Sequence, residues 1–205
     1  MPPDAGTLST VGQVGVLAGW FGFAAGVLLR RRGPVAGDRA RDRGSLAGIL
    51  IQAAGFAVVW GLRRPQGTPI FSMSPVTWLL LTGLAIALAL GSAWLGAAAI
   101  RTLGKQWSLQ ARITQDHDLI TTGPYRFVRH PIYAAMLGLL LGTGLAFSRP
   151  VGLGAGLLTF LVGTALRVRV EERLLRATFG ETYDAYARQV PAVVPRVLMF
   201  PRKLD

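Results

Sequence analysis

Five stretches of this 205-residue chain carry no charged side chain: Thr10 to Leu29, Ser45 to Leu62, Val76 to Ile100, Pro131 to Phe147 and Val151 to Leu166. A bilayer crossing takes about 20 apolar residues in a helix. The first stretch has that length, the third, at 25 residues, can span with tilt, and the last two lie at the short end. Only 16% of the residues are charged, where a soluble domain carries about 25%. The pattern predicts an all-α integral membrane protein of about five transmembrane helices with a C-terminal amphipathic helix. The segment before the first run holds Asp4 and neither Lys nor Arg. A secretory signal begins with a basic region, so the first run is expected to be a retained span. Gly15/Gly19 and Gly22/Gly26 within it are spaced for close helix packing.

The connections are equally legible. Arg30–Arg43 is a polar, Gly/Pro-containing loop, and Arg63–Pro75 holds Pro65, Gly67, Pro69 and Pro75. Arg101–Arg129 is polar and mixed. Only Ser148-Arg149-Pro150 separate the fourth and fifth runs, which predicts a tight antiparallel hairpin. From Arg167 to Arg188 the apolar residues Leu174, Leu175, Phe179, Tyr183 and Tyr186 recur at helical spacing, with Gly180 as an interruption or cap. Lys and Arg are placed unevenly. The loop after span one, the loop after span three and the C-terminal tail hold 19 of the 22, and the other two loops hold 3. The positive-inside rule then puts the N-terminus outside and the C-terminus in the cytosol. The net charge of +12 follows from this topology and from attraction to anionic lipid, so nucleic acid is not an expected partner.

Several chemistries are excluded. There is no cysteine, hence no thiolate nucleophile or thiolate metal site. His117 and His130 are the two histidines, and neither has a His or Cys partner at ligand spacing, so no metal is expected. Gly-rich phosphate loops and G-x-S-x-G are missing.

The residues that invite chemistry sit where polar segments meet apolar ones. In Gly123-Pro-Tyr-Arg-Phe-Val-Arg-His-Pro-Ile-Tyr133, Pro131 suits a first helical position, leaving Arg129 and His130 just outside a helix N-terminus. Arg167 and Glu171, four apart, share one face of the helix that leaves span five, with Glu172 beside them. The plain alternatives are an interfacial belt of Arg and Tyr and a surface ion pair worth less than about 1 kcal/mol. Ionisable groups at a membrane boundary are costly and more often functional. The hairpin brings both stretches to one side, assembling Arg, His, Glu and Tyr at the bilayer surface. Such a cluster suits a membrane enzyme with a soluble, charged cofactor, or a non-catalytic membrane protein.

Taken in order, His117-Asp-Leu-Ile-Thr-Thr-Gly-Pro-Tyr125, Arg129-His-Pro-Ile-Tyr133, Arg167-x-x-x-Glu171-Glu172, Phe179-Gly-Glu-x-Tyr183-x-x-Tyr186, Val190-Pro191 and Pro195 resemble the isoprenylcysteine carboxyl methyltransferases. The resemblance covers roughly residues 110–195. It implies S-adenosylmethionine as methyl donor, bound on the cytosolic side. Implied cofactor contacts are Gln110, His117, Asp118, Leu119, Ile120, Tyr125, Arg129, His130, Pro131, Ile132, Tyr133 and Glu171. Arg167 matches the arginine expected near the acceptor carboxylate and, with Glu172, makes the expected catalytic pair. The implied acceptor is lipophilic, a prenylated cysteine carboxylate or similar, reached from the bilayer. On this reading residues 1–100 form three spans on the lipid-substrate side, and residues 101–205 form the catalytic region.

Related membrane families leave other readings open. A phospholipid N-methyltransferase would methylate an amine. An NADPH-dependent sterol-type reductase would carry an acidic residue soon after Tyr133, where Ala134, Ala135 and Met136 stand here. A non-catalytic protein could keep the same fold. The N-terminal half carries no motif that assigns a role to any of its residues.

Overall fold

A computed structural model describes residues 4–29, 38–41, 44–109, 112–114 and 118–195. Helices dominate: α1 (Ala5–Leu28), α2 (Gly44–Gly61), α3 (Pro75–Leu103), α4 (Pro131–Phe147), α5 (Pro150–Phe179) and α6 (Glu181–Gln189). Three of them, α1, α3 and α5, are long and apolar enough to cross a membrane, and α2 and α4 are shorter apolar helices. The surface is inverted relative to a water-soluble protein. Phe21, Leu50, Leu80 and Leu158 point outward at 75, 70, 68 and 68% exposure, while Gln52, Thr143 and Thr164 are buried. Apolar side chains outward and scarce polar ones inward suit a hydrocarbon solvent. The chain is an integral membrane protein of helices, as its apolar runs predict.

The helix ends follow local chemistry. Asp4 caps α1 by accepting from the Thr7 backbone N–H at 2.7 Å, and Ser74 caps α3 by accepting from that of Thr77 at 3.2 Å. Pro75, Pro131 and Pro150 each open a helix, where a missing N–H costs nothing. The amphipathic segment from Arg167 continues the helix that leaves the fifth span, as expected, since no breaker stands between Leu166 and Phe179. Gly180, at φ 54°, ends α5, and α6 follows directly. Two strands not expected from the sequence, β1 (Asp38–Arg41) and β2 (Arg112–Thr114), pair antiparallel with Asp38 opposite Thr114 and Arg41 opposite Arg112.

The spans pack chiefly as α1 on α3, α2 on α5 and α3 on α4, with α4 also touching α1, α2 and α5. The glycines of α1 do provide close approach: a Cβ on Gly19 would sit 2.6 Å from that of Ala89 on α3. Small residues let helices gain dispersion contact where lipid gives no hydrophobic drive. Trp20 ties α1 to α4 by donating from Nε1 to Thr143 Oγ1 at 3.0 Å. At the end of α4 remote from His130, Arg64 donates to the carbonyls of Leu145 and Ser148, each at 2.7 Å, and satisfies groups that a helix end leaves unpaired. Because α4 and α5 are joined by Ser148 and Arg149 alone, the start of α4 and the end of α5 lie on the same side, where the expected site residues gather.

Candidate active site

His130 is the organising side chain. It precedes α4 and is buried. Its backbone N–H donates to Ala192 O, and that of Arg129 to Pro191 O, each at 2.9 Å. The tail therefore folds back along the segment that leads into α4. The two imidazole nitrogens face two consecutive carboxylates of α5: Nδ1 lies 3.3 Å from Glu171 Oε2 and Nε2 lies 3.3 Å from Glu172 Oε1. Burial alone would lower the imidazole pKa. The carboxylates on both nitrogens outweigh it and hold the group above its ordinary value. A protonated ring donates on both sides, which suits this pairing.

Around this centre the roles separate. Arg129 donates from Nε and Nη2 to Glu172 Oε1 at 3.0 and 2.6 Å. Its Nη1 reaches the carbonyls of Ala187, at 2.8 Å, and Val190, which are freed where α6 ends. Tyr133, one turn into α4, stacks on His130 with ring centroids 5.6 Å apart, and its hydroxyl donates to Glu171 Oε1. The Arg167 guanidinium lies over the Tyr133 ring, 4.8 Å from its centroid, with Nη2 3.8 Å from Glu171 Oε1. Arg167 is 5% exposed. It donates to Leu109 O at 2.6 Å and to Gln52 Oε1 at 3.1 Å, and its buried Nε has no hydrogen-bond partner among the described residues. Tyr186 donates to Tyr125 O at 2.6 Å. Burial pushes the Tyr186 phenol up to about 12. Burial, helped by the charge of Glu171, raises Tyr125 too. Both therefore remain neutral phenols at working pH.

These groups open onto a cavity of about 470 Å³. Its polar wall includes Tyr125, Arg129, His130, Tyr133, Arg167 and Glu171, with Ile132 beside them. Its apolar wall is built from the N-terminal half: Trp20, Phe23 and Val27 of α1, and Ile49, Ala53 and Phe56 of α2. Asp118, Leu119 and Ile120 line a smaller adjoining cleft that shares Tyr125 and Arg129 with the main one. Pro131 is buried at the start of α4. Glu172 faces Arg129 and His130 rather than the cavity. Gln110 and His117 lie outside the described residues. Sequence reasoning missed Gln52 and the α1 and α2 wall. The aliphatic and aromatic residues there match those of any lipid-facing helix, but a lone buried glutamine in a charge-free run was a readable signal.

The donor set fits S-adenosylmethionine. That molecule combines an ammonium, a sulfonium, a carboxylate and an adenine ring. The cavity offers the carboxylate of Glu171 and the ring of Tyr125 for the cations, the guanidinium of Arg167 for an anion, and Leu174 and Leu175 for a flat apolar ring.

The chain is similar to known proteins. Residues 80–182 match the family model described as phospholipid methyltransferase. Protein-S-isoprenylcysteine O-methyltransferase B of Arabidopsis thaliana is 34% identical over 101 residues, 48% of this chain and 51% of that protein. The protein-S-isoprenylcysteine O-methyltransferase of Tribolium castaneum is 30% identical over 125 residues, 60% of this chain and 44% of that one. The nickel-cobalt-cadmium resistance protein NccN of Alcaligenes xylosoxydans xylosoxydans is 34% identical over 117 residues, 56% of this chain and 54% of its own length. The chain thus spans about half the length of the curated relatives it matches. Among solved structures, the eukaryotic intramembrane Ras methyltransferase ICMT shares the fold with a TM-score of 0.54 at 23% identity, over 73% of this chain and 51% of that one. The resemblance read from the sequence motifs is recovered in these relatives, and with the family model covering residues 80–182 of the 205, the chain belongs to the phospholipid methyltransferase family.

Proposed function

We propose that this protein is an integral membrane methyltransferase that uses S-adenosylmethionine to methylate the carboxylate of a lipophilic acceptor, an isoprenylated cysteine or a similar molecule. One observation carries the reading: a single cavity joins the Arg167–Glu171–His130–Tyr133 cluster to an apolar wall within the membrane-spanning helices. The polar end suits the cofactor and the acceptor's carboxylate, and the apolar end suits its tail. The excess of Lys and Arg in the loops on this side supports a cytosolic site and C-terminus.

Bound S-adenosylmethionine supplies a methyl group activated by its sulfonium. An ionised carboxylate is already a nucleophile, so no general base is required. Transfer to a carboxylate oxygen would require no proton to move. The work left to the protein is orientation and the removal of water. Arg167 takes over hydration that the acceptor's carboxylate loses, through charge-assisted hydrogen bonds. Glu171, steadied by His130 and Tyr133, balances the cofactor's positive charge. Arg129 and Glu172 hold the α4 entry, the end of α5 and the tail in register.

The test is binding and turnover by the purified full chain in detergent. S-adenosylmethionine binding by calorimetry and methyl transfer to N-acetyl-S-farnesylcysteine are expected. Binding of NADPH without S-adenosylmethionine would overturn the reading. The family model's description favours a second acceptor, a phospholipid amine. Transfer to phosphatidylethanolamine with none to the farnesylcysteine would select it.

A further inference from the structure

Gln52 is 1% exposed in the middle of α2, a helix with no charged residue. A buried amide needs partners for both ends, and Gln52 finds them on α5. Its Nε2 donates to Thr164 Oγ1 at 2.8 Å, and its Oε1 accepts from Arg167 Nη1 at 3.1 Å. The orientation of the amide is forced. The Thr164 hydroxyl spends its proton on Phe160 O at 2.9 Å, so toward Gln52 it can only accept. The amide nitrogen must then face Thr164, and the oxygen must face Arg167. The backbone permits this closeness. A Cβ on Gly163 would lie 2.7 Å from the Gln52 nitrogen, and one on Gly48 would collide with Arg167 Cγ.

An amide oxygen accepts a hydrogen bond from a guanidinium without neutralising it. The nearby carboxylate, Glu171, is 3.8 Å from Arg167 and is itself engaged by His130 and Tyr133. Gln52 thus anchors Arg167 without setting a second counter-charge against it, and among the described residues the buried Nε has no hydrogen-bond partner. We infer that Gln52 is a positioning residue that holds the Arg167 guanidinium at the cavity while sparing its charge, and so sets a preference for an acceptor bearing a carboxylate over one bearing an amine. The inference rests on the acceptor reading above. It also gives α2, in the half of the chain without a motif, a part in selecting the substrate's charge.

The test compares wild type, Gln52→Glu and Gln52→Met as full chains in detergent, with N-acetyl-S-farnesylcysteine as acceptor. Gln52→Glu sets a carboxylate against Arg167 and competes with that of the acceptor. KM should rise by about 30-fold or more, with kcat and S-adenosylmethionine affinity each within about threefold of wild type. Gln52→Met keeps the volume but not the acceptor atom, and KM should rise by about five- to tenfold. It carries the test where Gln52→Glu does not fold. A loss of packing alone would instead lower kcat, cofactor affinity and thermal stability together. Wild-type KM in a folded Gln52→Glu or Gln52→Met variant, or parallel losses in all three measures, overturns the positioning role. A wild-type protein that binds S-adenosylmethionine but neither binds nor methylates the farnesylcysteine overturns the acceptor reading and this inference with it.

Discussion

Arg129 and Glu172 meet at 2.6 Å, joining the residue pair that opens α4 to the C-terminal part of α5. Their side chains are 13 and 12% exposed. Removing one member of a buried pair leaves the other without compensation and costs roughly 3–5 kcal/mol. Arg129→Ala should therefore destabilise the protein by about 3 kcal/mol, read as a fall in the thermal unfolding midpoint in detergent. Arg129→Lys should restore little, because one ammonium cannot reach Glu172 and the Ala187 and Val190 carbonyls together. Unchanged stability with weakened S-adenosylmethionine binding would instead assign Arg129 a direct cofactor contact.

His130 makes stability depend on pH. Its folded pKa is raised above 6.5, because Glu171 and Glu172 outweigh the effect of burial. Between the unfolded and folded pKa values the native state binds more protons than the unfolded state. The contribution is therefore complete below about pH 6.5 and fades as pH rises through the folded value. The unfolding midpoint should fall between pH 6 and pH 9. His130→Asn should be less stable at pH 6 and show a flatter profile over that window. Parallel profiles for the two proteins would refute the assignment.

Tyr133 combines two functions that one substitution separates. Tyr133→Phe keeps the ring that stacks on His130 and lies under Arg167, and deletes the hydroxyl that donates to Glu171. A hydrogen bond to a charged group contributes about 1.5–3 kcal/mol. S-adenosylmethionine affinity should fall by about tenfold, at about 1.4 kcal/mol per decade, with the fold intact. Calorimetry of Tyr133→Phe giving wild-type affinity would remove Tyr133–Glu171 from cofactor binding.

The α2–α5 contact predicts a contrast between two glycines of one helix. A Cβ on Gly163 would lie 2.7 Å from Gln52 N and 2.8 Å from Gly48 O, both backbone atoms that cannot rotate away. Gly163→Ala should cost about 1–3 kcal/mol as overpacking. Gly154 has nothing within 4 Å of such a Cβ, and Gly154→Ala should be neutral or stabilising by up to about 1 kcal/mol. Thermal unfolding of the two variants side by side decides it, and equal midpoints would contradict the packing.

What could be read from the sequence was what bilayer and backbone chemistry impose directly. Charge-free length marks a span, so the five apolar helices were legible, and Pro131 and Gly180 marked an entry and a stop. The pairing of Arg129 and His130 with Glu171 and Glu172 followed from the short hairpin, which folds two distant stretches to one side. The α2–α5 pairing was hidden, because it depends on which small residues face each other across Gly48 and Gly163. The cavity wall on α1 was hidden for the same reason: Trp20 and Phe23 differ from lipid-facing Phe21 only in direction. The β1–β2 pair was missed because both strands are short and sit in polar loops.

Arg167 gives the sharpest test of the acceptor's chemistry. It is buried, its Nη groups are held by Gln52 and Leu109 O, and its Nε has no partner among the described residues. A prenylated acceptor lying along α1 and α2 would bring its carboxylate to this guanidinium and lose water there. A charge-assisted hydrogen bond of that kind contributes roughly 1.5–3 kcal/mol. Arg167→Ala should lower kcat/KM for N-acetyl-S-farnesylcysteine by roughly 10- to 100-fold. Because the substitution also strands the Gln52 amide oxygen, stability should fall as well, so kinetics are to be compared with S-adenosylmethionine affinity in the same preparation. That affinity should change much less than kcat/KM. Arg167→Lys should recover part of the loss, since an ammonium keeps the charge but not the planar fork. For an amine acceptor the sign reverses: a cation beside a protonated amine raises the cost of binding, and Arg167→Ala should not slow methylation of phosphatidylethanolamine. Undiminished turnover of the farnesylcysteine by a folded Arg167→Ala protein would rule out the carboxylate role and turn the assignment toward the amine.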